Sequence, residues 1–267
     1  MRELNFKYKM RSIFCLVSFI LCLNIKGQDK TINSGNKANT TKEVSSKHRI
    51  MLIPFENRMY LSEIDFMINK ESKLDAKQIK ETMRDGLNDQ FYKKLKSKMP
   101  VVDLLEDTAK TKKDLNSIYQ YLTYQYLKVP NQEKYVAPVK EKEEKTIEKG
   151  QLVVESNSDA RFMDARLKNA TLVPYLSGKY KTDLFLFFNE LDIKSLNGSP
   201  GDFNSTATRK IILHYTVYTV NAVELNSGIA EVNLPVNVNS PTKIINTYFS
   251  QLADIVTARI EKALLAK

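Results

Sequence analysis

The 267-residue chain carries 41 lysines and arginines against 31 acidic residues, a formal charge of +10, with 42% hydrophobic residues, two cysteines and two histidines. That is enough apolar material for one large domain with a substantial core. The lysines are scattered rather than clustered with aromatics on one segment, which argues against a dense nucleic-acid face and leaves, at most, weak attraction to anionic polymers or membrane surfaces.

The amino terminus reads as an export signal. Arg2, Lys7, Lys9 and Arg11 precede the apolar run IFCLVSFILCLNI at 13–25, and Lys26, Gly27 and Gln28 follow. The run falls short of the ~20 residues a membrane-spanning helix needs, so residues 1–27 are expected to be a cleaved signal peptide. Cys15 and Cys22 both lie inside it, preceded by Phe14 and Leu21. A lipoprotein signal wants a small residue there, so lipidation is disfavoured and the exported chain would be free of cysteine. Cleavage removes Arg2, Lys7, Lys9, Arg11 and Lys26 against Glu3, lowering the charge to about +6. Residues 28–47 are polar and too poor in apolar groups to fold, and are expected to form a flexible leader.

One domain is expected over 48–267. It opens on a buried strand at 50–53, closed by Pro54, with Glu56 just beyond its carboxyl end; 59–68 reads as extended or as an edge strand. Residues 74–98 read as a helix with Asp75 as N-cap, Leu74 and Ile79 as a hydrophobic staple, and Ile79, Met83, Leu87, Phe91 and Leu95 as its apolar stripe. Gly86 beside that stripe suggests close approach to the sheet. A second strand is expected at 101–105, then a helix over 108–127 that buries Leu115, Ile118, Tyr119, Leu122 and Tyr126. The charged stretch at about 130–157 reads as a mobile insertion, 158–169 as helical, and 170–181 as a further helix.

The most distinctive stretch is TDLFLFFNELDIKS at 182–195. Five consecutive apolar residues, Leu184 to Phe188, fit a strand buried on both faces, and Leu191 and Ile193 then alternate with polar neighbours. A turn-rich loop at 196–204 leads to strands at 209–223 and 229–238, joined by a turn at Asn226-Ser227-Gly228. Ser240 and Pro241 cap and open a long final helix. The expected fold class is therefore α/β with α+β character: a three-layer domain with a mixed sheet, a C-terminal hairpin and helices on both faces.

Recognisable catalytic sets are missing from this pattern. His48 and His214 have no second histidine or carboxylate at ligand spacing in the sequence, and no phosphate-binding, dinucleotide or nucleophile-elbow motif occurs. No cofactor or metal is expected. The remaining site candidates are carboxylates: Glu56 after the first strand, with Glu190 and Asp192 on the central one. A parallel pairing of those strands would bring them to one rim, where open α/β sheets place their ligands. The bland reading makes them solvated or helix-capping acids. The loop 197–201 has too few glycines to argue strongly for a phosphate cradle.

The element order, opening on IMLIPF at 50–55 and including DLFLFF at 183–188 with the hairpin and closing helix, resembles a group of envelope α/β domains. They include the amino-terminal domain of TolB, the curli-export lipoprotein CsgG and the activator LpoB. The Gly27-Gln28 junction resembles those of exported Bacteroidota proteins, and Asp107-Thr108-Ala109 is similar to their O-glycosylation acceptor triplet, although Asp107 serves equally as a helix cap. The resemblance implies a non-enzymatic interaction protein of the periplasm or outer-membrane periphery, an accessory to envelope assembly, secretion or cell-wall machinery, with an envelope protein as partner. The alternative is a carboxylate-dependent hydrolase acting on envelope glycans or peptides.

Overall fold

Leu184 to Phe188 lies at the middle of the architecture because it is apolar on both faces. In the computed structural model, which describes residues 47–130, 147–148, 151–152, 161–196 and 208–266, it opens a 13-residue strand. The elements run β1 (Ile50–Ile53), a 3-10 turn (Asn57–Met59), β2 (Tyr60–Ser62), α1 (Asp65–Ser72), α2 (Ala76–Lys96), β3 (Val101–Asp103), α3 (Thr108–Gln120) and β4 (Leu122–Lys128). There follow the short pair β5 (Ile147–Glu148) and β6 (Gln151–Leu152), then β7 (Arg161–Leu167), α4 (Leu172–Tyr180), β8 (Leu184–Leu196), β9 (Thr208–Thr219) and β10 (Glu224–Leu234). The last helix, α5, comprises Pro241–Lys243, a π-helical segment Ile244–Phe249 and Ser250–Leu265. The expected signal peptide, most of the leader and the charged insertion, and the phosphate-cradle loop lie outside the described residues.

The main sheet has the order β10-β9-β8-β1-β3, and β2 also pairs with β8. β1 runs parallel to β3 and β8, and β2 runs parallel to β8, whereas β8–β9 and β9–β10 are antiparallel. The fold is α/β with a mixed sheet, as the sequence predicts. Alternate side chains sort into two cores. Ile50, Leu52, Leu184, Leu186 and Phe188 meet α1, α2 and α5; Met51, Ile53, Phe185 and Phe187 meet α3, α4 and the β4–β7 ribbon. Phe91 and Phe188 tie α2 to the sheet with ring centroids 4.6 Å apart.

Local signals place several boundaries. Asp75 accepts from Gln78 N–H while the Gln78 side chain accepts from Asp75 N–H, a capping box that fixes the start of α2. Ser240 caps α5 with Pro241 at its first turn. Asp107 caps α3.

Four expectations are corrected. The helix expected over 108–127 stops at Gln120, and LTYQYLK becomes β4, paired antiparallel with β7. Leu122, Tyr124 and Tyr126 satisfy a two-residue period as well as a helical one, and their aromatic, β-branched neighbourhood favours the strand. The helix expected at 158–169 is replaced over its described part by β7. Residues 59–68 contain only three residues of strand before α1 begins. The hairpin turn sits at 220–223, with Ala222 at φ 57°, and Asn226-Ser227-Gly228 lies within β10 beside a bulge.

Gly86 approaches a helix, not the sheet. A β-carbon there would lie 2.4 Å from Ile245 Cδ1 and 2.6 Å from Cγ1, in the π-helical part of α5. Gly86→Ala should therefore lower stability by about 1 kcal/mol, because overpacking of ~1–3 kcal/mol outweighs the ~1 kcal/mol gain in helix propensity. Adding Ile245→Ala should recover part of that loss; a double-mutant cycle by thermal denaturation that shows no coupling refutes the contact.

Candidate functional site: a buried carboxylate and histidine seam

Strand β8 contains one irregularity, and it decides where its acids point. The register with β9 shifts between Phe188, opposite Tyr215, and Glu190, opposite His214, leaving Asn189 as the extra residue. A bulge of this kind reverses the alternation of side chains. Leu191 and Ile193 consequently join Leu184, Leu186 and Phe188 in the core under α2 and α5. Glu190 and Asp192 are turned toward the opposite face, beneath the β4–β7 ribbon. Without the extra residue both carboxylates would enter the apolar core.

On that face Glu190, Asp192 and His214 converge, each at most 3% exposed. His214 Nε2 lies 3.7 Å from Glu190 Oε1 and 3.6 Å from Asp192 Oδ2. The Tyr126 hydroxyl reaches across from β4 to both Glu190 oxygens at 3.2 Å. Lys194 Nζ stands 3.3 Å from Asp192 Oδ2. Burial pushes the Glu190 carboxyl above its ordinary range; His214 opposes this and the Asp192 carboxylate adds to it.

The other imidazole nitrogen shows what the group can bind. His214 Nδ1 accepts from the Met163 backbone N–H at 2.8 Å, which assigns the proton of the neutral ring to Nε2, the atom aimed between the carboxylates. The three possible ligand atoms lie within 4.8 Å of one another, a spacing that suits a metal ion. Coordination by Nε2 would require its lone pair and move the proton to Nδ1, against the Met163 N–H. The donor set therefore fits a metal poorly. It suits two carboxylates in contact with an N–H, a phenol and an ammonium group.

The same face carries a structural seam. The outer edge of β7 would leave backbone groups unpaired above the main sheet. Asn189 Nδ2 donates to Met163 O at 2.9 Å and to Thr216 Oγ1 at 2.8 Å, Thr216 donates to Asp164 Oδ1 at 2.7 Å, and the Tyr218 hydroxyl donates to Ala165 O at 2.9 Å. Asp164, fully buried, pairs with Arg166 Nε at 2.5 Å. Burial pushes its carboxyl up, while the Thr216 bond and Arg166 oppose that shift.

Glu56 does not join the trio, although β1 and β8 are parallel as expected. Its carboxylate takes Arg58 Nε at 2.9 Å, and the Arg58 guanidinium stands 5.5 Å from the Tyr124 ring centroid. The groups acting on Glu190 are His214, Asp192, Tyr126 and Lys194. The sequence reading also missed both histidine partnerships. His48 Nδ1 is 2.5 Å from Asp183 Oδ2, and His214 meets two acids. These pairs are separated along the chain, so only the strand register reveals them.

Comparison with known proteins adds little. No family model and no curated protein matches the chain. Among solved structures, a hypothetical protein of Chlamydia trachomatis aligns with 82% of this chain and 99% of its own length, at 9% identity and a TM-score of 0.39; no functional argument follows from it.

Glu190 holds its proton more tightly in the folded chain than in the unfolded one. Its contribution to stability is full below the ordinary value of 4.5 and is lost as pH rises past the raised folded value. Glu190→Gln should remove that loss, so the melting temperature of the variant relative to wild type should increase from pH 4 to pH 7. A constant difference across that range would contradict the assignment.

Proposed function

We propose that this chain is a non-enzymatic interaction domain of the bacterial cell envelope, acting in the periplasm or at the outer-membrane periphery on a protein partner. The observation that carries the reading is a group of large apolar side chains left in solvent on β2 and α1: Leu61 is 48% exposed, Phe66 75% and Met67 38%. β2 pairs with β8 on one side only among the described strands, so this apolar group borders a free sheet edge. Exposed apolar side chains beside an unpaired edge suit docking of another protein. The resemblance to the TolB, CsgG and LpoB domains supports the same reading.

A photo-crosslinking residue in place of Phe66 should yield a discrete protein adduct in native envelopes, reduced by Leu61→Asp. The exposed position of Phe66 should leave the fold intact. Adducts no stronger or more specific than those from Tyr175, an aromatic 59% exposed on α4, would sink this reading.

One observation favours a second reading, a carboxylate-dependent hydrolase of envelope glycans or peptides. Glu190, whose carboxyl burial makes a weaker acid than usual, stands beside Asp192 and has the form of an acid/base pair. Their burial means that β4 would have to move before substrate could enter. On this reading Glu190→Gln abolishes turnover of cell-wall material while the protein stays folded; undiminished turnover in the variant excludes it.

A further inference from the structure

The exposed apolar side chains of α1 are bracketed by two opposite charges, and their order bears on what covers them. Ile64, at the cap of the helix, and Ile68 point into the core. At 3.6 residues per turn the outward side then carries Phe66 and Lys70, with Met67 beside them. Glu63 stands at the approach to the helix, three residues before Phe66, and Lys70 lies three residues after Met67. The outward side thus reads acid, apolar pair, base, with both charges equally far from the midpoint of Phe66 and Met67.

Both charges are exposed and open to a partner. Glu63 is steadied through Oε2, which accepts from Ser195 N–H at 2.7 Å. The Lys70 ammonium has no partner among the described residues. Neighbouring charges are taken up locally: Asp65 accepts from the Tyr60 hydroxyl at 2.7 Å, and the Lys73 ammonium donates to Lys70 O at 2.9 Å. Glu71 lies further round the helix, beyond Met67.

We propose that a second copy of this chain covers the surface, α1 packing antiparallel against its counterpart about a twofold axis between Phe66 and Met67. The proposal rests on the docking reading of this surface and names its partner. A twofold contact has to be self-complementary, and this one is. Glu63 of each copy meets Lys70 of the other, and the Phe66 and Met67 side chains of both copies meet at the axis. A parallel arrangement would set Lys70 against Lys70 and Glu63 against Glu63, so the charge order selects the antiparallel one. Exposed ion pairs contribute little by themselves; the apolar contact drives association and the charges fix its direction. Leu61 on β2 borders the same patch. Three apolar side chains per copy fall short of the roughly 800 Å² per partner of a standard interface, so the dimer is weak and reversible.

The test is sedimentation velocity of the purified full chain between about 10 and 300 μM, concentrations suited to an interface this small. The mass should rise from one chain to two across that range. Phe66→Asp should hold the chain monomeric throughout. Glu63→Lys and Lys70→Glu should each weaken self-association at least about tenfold, because each sets like charges against one another across the axis. Mixing these two variants should restore a dimer, one copy then offering two bases and the other two acids. Circular dichroism of each variant separates a lost interface from a lost fold. A wild-type chain that stays monomeric overturns the proposal, as does association that survives Phe66→Asp, or a mixture no tighter than either variant alone. In envelopes, a crosslink from position 66 at twice the chain mass supports the second copy. A crosslink to a different protein alone overturns it while leaving the docking reading standing, and the absence of any crosslink overturns both.

Discussion

The extra residue at Asn189 is the constraint on which the arrangement depends. β8 has to serve two apolar layers over its first five residues and one apolar layer thereafter. The bulge makes that change possible without interrupting the ladder to β9. It keeps Leu191 and Ile193 in the core and turns Glu190 and Asp192 away from it. The bulged side chain itself then bonds the edge of β7. One backbone irregularity thus positions the acids and fastens the ribbon that covers them.

The seam between the ribbon and the sheet is polar because β7 presents backbone groups where a helix would present side chains. A helix satisfies its own amides; a ribbon edge does not. Asn189, His214 and Tyr218 supply the missing partners from the sheet below. Buried acids above and below that edge then require their own compensation, which comes from Arg166, Tyr126 and Lys194. In this region, burying polar side chains and completing the backbone bonding are one requirement.

The parts of the fold legible in the sequence were those with strong local signals. Leu184 to Phe188 reads as a two-sided strand from its own composition, and Asp75, Gln78, Ser240 and Pro241 mark helix starts. β4 and β7 were misread because their spacing suits either period, and their pairing partner decides between them. The site was half legible. Glu190 and Asp192 stood out as acids on a buried strand, but His214 becomes their neighbour only through the β8–β9 register and its shift. Glu56 was expected beside them from the parallel pairing alone; Arg58, two residues away, holds it instead.

The central position of β8 has a consequence for how the chain comes together. The backbone N–H of Arg49 bonds the Asp183 side chain across a separation of 134 residues, and β1 finds its inner neighbour only when that distant strand arrives. During synthesis, the segment from β1 through α4 exists without the strand that joins its two cores. Its exposed apolar faces then depend on local helices, and loop closure over such a span slows folding. A domain whose middle strand emerges late is exposed to misassembly for longer than one built outward from its first hairpin.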